Sequence, residues 1–128
     1  MKIINIEIPF KTPTSNTMYA TFHGHRVKSK EARELLKEVF KIVTESAIEI
    51  IEDELEVIID IHSNWYNKDG TIKKRDIANL EKFITDSIFA SLEGMDDKQI
   101  FKITMNKIYS QEEKSVIKIM EYNGTEKK

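Results

Sequence analysis

The chain has no cysteine, only two prolines and four glycines, and a single tryptophan among its 128 residues. The absence of cysteine excludes disulfides and thiolate metal sites, and it fits a reducing cytoplasm. No apolar run reaches the length of a membrane-spanning helix. The N-terminal segment MKIINIEIPF alternates apolar and polar residues, unlike a signal peptide. We therefore predict a soluble cytoplasmic protein with no membrane partner.

Composition and charge indicate one small domain without an overall electrostatic bias. The chain carries 20 basic and 22 acidic residues, which gives a net charge of −2. Such a balance gives no general attraction to nucleic acid, although a local basic cluster such as Lys73, Lys74 and Arg75 can attract a phosphate backbone. With 40% hydrophobic residues, the chain suits a single domain with a small core. We assign residues 1–122 to this domain and residues 123–128 to a flexible C-terminal tail.

Hydrophobic periodicity predicts the element order β-α-β-α-β-β. Near period-two alternation places strands at 2–10, 54–65, 100–109 and 115–122. Apolar stripes at helical spacing place one helix from the N-cap Ser29 to about residue 52 and a second from about Asp76 to Leu92, with Gly94 as its C-cap. Residues 11–28 are predicted to form a long loop. This order favours an α+β fold, a small mixed sheet with two helices on one face and a hairpin between the last two strands.

Several polar residues on the second predicted helix are spaced so that they lie close together on its surface. At about 100° per residue they share one side of the helix, next to its apolar face. Two further acids follow in the loop after the helix. The set comprises Asp76, Asn79, Lys82, Asp86, Asp96 and Asp97.

Two interpretations of this polar set are open from the spacing. Several carboxylates in one concavity bind Mg²⁺ and serve phosphodiester cleavage, and a nearby lysine stabilises charge at the phosphate. Alternatively the acids are solvated surface charges, since acids make up 22 of 128 residues and Lys82 can pair with Asp86 across one turn. Spacing alone favours the second interpretation.

The same residues resemble the motif of the RusA family of Holliday junction resolvases. The family pattern is Asp-x-Asp-Asn-x-x-Lys, an aspartate four residues further on, and an Asp-Asp pair before a strand. Here residues 76–82 read DIANLEK, and Asp86 and the pair Asp96-Asp97 follow at matching spacing. PTSNTMY at 13–19 is similar to the family's loop after the first strand, and VKSKEA at 27–32 to the start of its first helix. The resemblance extends over about residues 3–109.

The resemblance implies a homodimeric endonuclease that resolves four-way (Holliday) DNA junctions in recombination and repair. It also implies a requirement for Mg²⁺, or alternatively Mn²⁺, and a bacterial, phage or prophage source. Carried over position by position, Asp76 and Asp97 are metal-binding catalytic carboxylates and Lys82 stabilises the phosphate or its transition state. The residues expected to support this site are Asn79, Asp86 and Asp96. Those expected to contact DNA are Asn16, Lys73, Lys74 and Arg75.

Ala78 departs from the pattern, because it occupies the place of the family's second metal-binding aspartate. In one explanation the alanine is natural, and the protein is a non-catalytic binder of branched DNA. In the other a natural aspartate has been replaced, and the chain is a catalytically impaired enzyme. The intact neighbouring motif positions favour the second explanation, because a lineage released from catalysis is expected to lose Asp76, Lys82 or Asp97 as well.

Overall fold

A computed structural model of the chain describes residues 2–14, 19–22, 25–46 and 48–124. The architecture is α+β, as predicted, with two helices and a four-stranded mixed sheet. The elements in chain order are β1 (Ile3–Ile8), β2 (Tyr19–Phe22), β3 (His25–Lys28), α1 (Lys30–Glu45), β4 (Leu55–Ser63), α2 (Ile77–Ser91), β5 (Ile100–Tyr109) and β6 (Lys114–Glu121). Neither of these helices has the length and apolar character that crossing a membrane requires.

The main sheet has the strand order β1-β6-β4-β5. β4 and β5 run parallel, and β6 is antiparallel to both β1 and β4. The predicted hairpin between the last two strands is therefore wrong, because β4 lies between them. Every residue of β4 is buried or half-buried, which suits a central strand, whereas the more exposed β5 forms an edge.

The core lies between the sheet and the helices. The register places Ile6 opposite Ile117, and Ile117 opposite Ile59, so that buried side chains from three strands form rows on one face of the sheet. Both helices contribute to the same buried cluster. Their main contributions are Val39 and Val43 from α1, and Leu80, Phe83, Ile84 and Ile88 from α2.

Helix α1 begins as predicted and ends earlier. The Ser29 hydroxyl accepts a hydrogen bond from the Ala32 N–H at 3.1 Å, which is the N-cap arrangement. The helix ends at Glu45 rather than near residue 52. The carbonyl of Ile51 accepts a hydrogen bond from the distant Gln99 side chain at 2.9 Å, and Ile51 is buried in a non-helical segment. Its apolar side chain therefore belongs to the core without extending the helix.

Residues 11–28 contain more structure than the predicted loop. β2 and β3 form an antiparallel pair, with Tyr19 opposite Lys28 and Phe22 opposite His25. Each strand has only four residues, which is too short for a periodic signal in the sequence.

Helix α2 follows the prediction closely. Asp76 is its N-cap and Leu92 its C-cap. Gly94, predicted as the C-cap, lies two residues further on with a φ of 89°, a left-handed conformation that glycine adopts without a steric penalty. The chain then enters a 3₁₀ helix, Asp97–Gln99, that leads directly into β5. The parallel β4-α2-β5 unit thus places the end of α2 and the start of β5 close together.

Candidate active site

A cavity of about 630 Å³ lies between α2 and the start of β5. Its helical wall uses positions separated by three or four residues, which share one side of a helix. Asp97 and the first four residues of β5 form the remainder. The lining residues are Ala78, Glu81, Lys82, Thr85 and Asp86 from α2, with Asp97, Ile100, Phe101, Lys102 and Ile103. Lys82, Asp86 and Asp97, three residues of the predicted set, therefore line one cavity.

Asp96 and Asp97 form a coupled pair of carboxyl groups beside this cavity. A hydrogen bond to the Asp96 carboxyl raises the pKa of Asp97, and desolvation and the charges of Asp96 and Asp86 act in the same direction. The pKa of Asp96 is lowered, first by the Lys98 N–H, which donates to its Oδ1 at 2.9 Å. The pKa values of these two neighbouring carboxyl groups are therefore shifted in opposite directions.

The position of Asp96 is set by a capping box. Its side chain accepts the Lys98 N–H, and the Gln99 side chain accepts the Asp96 N–H at 2.7 Å. Two orphan donors at the start of the 3₁₀ helix are satisfied in this way. Asp96 therefore holds the start of the 3₁₀ helix, where Asp97 is the first residue.

Lys82 and Asp86 form an ion pair within the cavity wall. The Lys82 Nζ lies 3.2 Å from Asp86 Oδ2, and both side chains are about half exposed, at 52% and 40%. Exposed pairs of this kind contribute only ~0–1 kcal/mol. The lysine can therefore exchange its carboxylate partner for a phosphate at little cost in free energy.

Asp76 has a different environment from Asp97. Its Oδ1 accepts the Ala78 N–H at 3.0 Å, so the carboxylate caps the N-terminus of α2. It is exposed, and the cavity that contains Asp97 is not lined by it. In this arrangement Asp76 stabilises the helix that carries Lys82 and Asp86.

Ala78 lies at the wall of the cavity itself. It is exposed, and it precedes Lys82 and Asp86 by one and two helical turns on the same side of α2. A carboxylate at this position would project from the same wall. Position 78, where the RusA motif has an aspartate, therefore belongs to the cavity that contains Asp97.

The residues predicted to contact DNA differ in their environments. Asn16 lies outside the described residues. Lys74 is exposed and Lys73 half-exposed, as a phosphate contact requires. Arg75 is half-buried and its guanidinium donates to two groups of the protein, Ser63 Oγ at 3.0 Å and the Thr12 carbonyl at 3.3 Å. Its predicted role as a DNA contact therefore competes with a structural role.

Three polar residues outside the predicted set also line the cavity, namely Glu81, Thr85 and Lys102. Three predicted residues do not line it, namely Asp76, Asn79 and Asp96. Glu81 could have been found from the sequence, because it lies three residues after Ala78. Lys102 could not, because its position depends on how β5 lies against α2.

Among the described residues no three His, Cys, Asp or Glu side chains are grouped to hold an ion. Asp86 and Asp97 share the cavity, whereas the motif's third acid, Asp76, caps the helix. Because Mg²⁺ is commonly held by one or two carboxylates together with waters and substrate phosphates, Asp86 and Asp97 are the residues that would hold such an ion here.

In this α+β fold the acids Asp86 and Asp97 share a cavity with the exposed lysines Lys82 and Lys102. The family model for endodeoxyribonuclease RusA matches residues 9–120. The chain therefore belongs to the RusA family of Holliday junction resolvases, as its motif predicted. Nucleases of this family bind branched DNA and generally depend on a divalent metal. A comparison with curated proteins finds no match.

Proposed function

We propose that this protein binds four-way DNA junctions as a symmetric homodimer and resolves them by paired, Mg²⁺-dependent nicks when position 78 carries aspartate. With Ala78 it binds junctions and cuts them poorly. Its setting is recombination and repair in the cytoplasm of a bacterial host, where the bacterium, a prophage or a phage encodes it. The observation that carries the proposal is that Ala78, Lys82 and Asp97 line one cavity.

The charges in the cavity explain both parts of the proposal, namely that the chain binds junctions and that it cuts them poorly. Lys82 and Lys102 in the wall, with Lys74 preceding the helix, attract a phosphate. Asp86 and Asp97 repel it unless a cation or a proton neutralises them. Removal of a third carboxylate at position 78 lowers this repulsion, so junction affinity is retained while the set of metal ligands is incomplete. Mn²⁺ is the alternative ion, because it also takes carboxylate ligands.

The site residues have distinct roles in this proposal. Asp97 and an aspartate at position 78 hold the metal, with Asp86 and Asp96 in support. Asp76 caps α2 in the described geometry and joins the metal ligands when its carboxylate leaves the cap. Lys82 transfers from Asp86 to the phosphate. Asn16 and Lys73 contact the DNA backbone together with Lys74.

The edge strand β5 is the surface at which we place the second copy. In the described part of the chain eight large hydrophobic residues are exposed, and six of them lie on or beside this edge. They are Phe101, Ile103, Ile108 and Tyr109 in β5, with Tyr66, whose ring centroid is 5.9 Å from that of Tyr109, and Ile72, which bridges to Tyr66. β5 pairs with β4 on one side only, so the other edge of this ten-residue strand offers backbone hydrogen bonds over about 33 Å.

A second copy of β5 is the partner that matches this edge best. Three half-exposed aromatic rings alone present an area on the order of 300 Å². Antiparallel pairing of two β5 strands about a two-fold axis adds backbone hydrogen bonds. It also brings the surface buried on each copy towards the ~800 Å² of a standard interface. Natural proteins rarely leave a long apolar edge uncovered. The two cavities, each walled by the start of β5, then lie in one assembly.

The dimer is tested by light scattering coupled to size exclusion, across a range of protein concentrations. We expect the unmodified chain to have the mass of a dimer and the Ile103→Lys/Ile108→Lys variant that of a monomer. Phe40→Lys is the matched control, because Phe40 is 56% exposed on α1, away from β5. A monomeric unmodified chain contradicts the dimer, and a dimeric edge variant contradicts the interface.

Binding and cleavage are tested separately. In gel shifts we expect the chain to bind a synthetic four-way junction more tightly than duplex or single-stranded DNA of the same length. In cleavage assays Ala78→Asp is expected to nick the junction symmetrically when Mg²⁺ is added. Ala78→Asn is the control, because asparagine has the size of aspartate without its charge.

The outcomes distinguish the proposal from its alternative, a non-catalytic protein that binds branched DNA. That alternative is favoured by Ala78, which contributes no carboxylate to the cavity wall. It is correct if Ala78→Asp binds junctions but never nicks them. If the chain shows no preference for four-way DNA, both functions are wrong.

A further inference from the structure

Arg75 occupies a position where three separate parts of the chain meet. One guanidinium nitrogen donates to Ser63 Oγ at 3.0 Å, and the other donates to the carbonyl of Thr12 at 3.3 Å. Ser63 is the last residue of β4, and Thr12 follows β1. The side chain therefore joins the ends of two strands to the residue that precedes the N-cap of α2.

The partners of Arg75 are buried and tied to further groups. Ser63 is fully buried, and its hydroxyl donates to Glu113 Oε1 at 2.8 Å, so the hydroxyl accepts from Arg75 and donates to Glu113. Thr12 is 3% exposed, and its hydroxyl lies 2.9 Å from that of Ser115. The network thus extends to the segment that enters β6.

An aromatic contact completes the environment of the guanidinium. The Arg75 Cζ lies 4.9 Å from the centroid of the Trp65 ring. Trp65 is 4% exposed, and its indole N–H donates to the Ile108 carbonyl at 3.0 Å, which holds the ring in place. A planar guanidinium can stack and donate in two directions at once, whereas a lysine ammonium cannot reproduce that geometry.

We infer that Arg75 is a positioning residue, which fixes the N-terminus of α2 relative to the segment that follows β1, and not a contact to a phosphate. Thr12 belongs to the described segment 9–14 that follows β1, and α2 carries the cavity wall. Arg75 thereby fixes this segment relative to the cavity, so that the two present a single surface to a junction. This inference rests on the proposed binding of four-way junctions.

The experiment compares two properties of DNA binding in four variants. The first property is the dependence of affinity on salt, which reports how many phosphates are contacted. The second is the ratio of affinities for a four-way junction and a duplex, which reports whether the contacting surfaces are in register. The variants are Arg75→Ala, Ser63→Ala, Lys74→Ala and Ser87→Ala.

Ser63→Ala is the decisive variant, because a fully buried hydroxyl cannot touch DNA and can act only through its partners. We expect Arg75→Ala and Ser63→Ala to keep the salt slope and to lower the junction-to-duplex ratio by about 2- to 30-fold, the range of coupling between separated sites. A fifth variant that combines Arg75→Ala with Ser63→Ala is expected to have the same junction-to-duplex ratio as Arg75→Ala alone. Lys74→Ala is expected to lower the slope by about 0.9 and to keep the ratio.

Ser87→Ala is the matched control, since Ser87 is also a buried serine, with its hydroxyl donating to the Ile84 carbonyl within α2. It is expected to retain both properties. The inference is overturned if Ser63→Ala keeps the unmodified ratio, if Ser87→Ala lowers it equally, or if Arg75→Ala loses about 0.9 in slope. Should Arg75→Ala fail to fold, Ser63→Ala alone decides. If the unmodified chain shows no preference for junctions, the proposed function itself is wrong. The three outcomes above overturn only the inference about Arg75.

Discussion

The Nζ of Lys82 lies 3.2 Å from Oδ2 of Asp86, one turn further along α2. Both side chains line the cavity that also contains Asp97. The two interpretations of these residues, a surface ion pair and a site for a phosphate, therefore describe the same geometry. Because the pair is half exposed, it keeps the lysine at the cavity without holding it firmly.

Asp86→Asn is expected to tighten binding to a four-way junction by about 1.5- to 5-fold, which corresponds to the ~0.2–1 kcal/mol of an exposed ion pair. The substitution removes the charge that pairs Lys82 with Asp86, and it removes one charge that repels phosphate. The gain should shrink as salt rises. Affinity is measured by fluorescence anisotropy at two salt concentrations.

Asp60→Asn is the control for Asp86→Asn. It makes the same change of charge on the other face of the sheet, where Asp60 accepts a hydrogen bond from Asn106 at 2.9 Å. Equal tightening in both variants would show that net charge, and not the cavity, is responsible.

Substitutions of Asp76 separate its capping role from its predicted metal role. Asp76→Asn should leave the free energy of unfolding nearly unchanged, because asparagine caps a helix as well as aspartate does. Asp76→Ala should lower it by about 0.5–2 kcal/mol. When either is combined with Ala78→Asp, we expect loss of cleavage, since neither side chain supplies a carboxylate. Urea denaturation and a nicking assay provide the measurements, and full nicking by the Asp76→Asn combination would remove Asp76 from the metal ligands.

Asp96→Asn is expected to lower the pKa of Asp97, because the largest cause of its rise is the hydrogen bond to the Asp96 carboxyl. Asparagine can still accept the Lys98 N–H, so the 3₁₀ helix should remain. Carboxyl ¹³C chemical shifts followed by NMR against pH provide the measurement. An unchanged titration of Asp97 would refute the coupling of the two carboxyls.

The raised pKa of Asp97 also has a defined effect on stability. The folded chain holds this proton more tightly than the unfolded chain does. The contribution of Asp97 to the free energy of unfolding is therefore fully present below the pKa that it has in the unfolded chain. It is lost as the pH rises through the pKa that it has in the folded chain. Asp96, with a lowered pKa, acts in the opposite sense, and its contribution is lost as pH falls through its folded pKa.

Phe83→Ala is expected to lower the free energy of unfolding by about 3–5 kcal/mol. Phe83 is fully buried, and its ring meets that of Phe10 edge-on with centroids 6.4 Å apart. Phe40→Ala is the control, with an expected change within about 0.5 kcal/mol, because Phe40 is 56% exposed. Both values come from urea denaturation, and a similar loss in the control would mean that Phe40 is covered in solution.

Much of the secondary structure follows from local signals. The bounds of β5 match the prediction, and the N-caps Ser29 and Asp76 lie where the capping preferences placed them. The errors occur where local signals are short or ambiguous. β2 and β3 have four residues each, and the apolar residues after Glu45 continue a helical pattern although Ile51 reaches the core from a non-helical segment.

The sequence by itself determined the family motif, the helix that carries Lys82 and Asp86 with its N-cap Asp76, and the place of Ala78 where the motif has an aspartate, because capping and helical spacing are local signals. The tertiary structure alone decided that β4 separates β5 from β6, that Asp97 joins Lys82 and Asp86 at one cavity, and that Arg75 is bound to Ser63 and Thr12. These relationships join residues far apart in the chain. Strand order and long-range packing, which no local pattern encodes, bring them together.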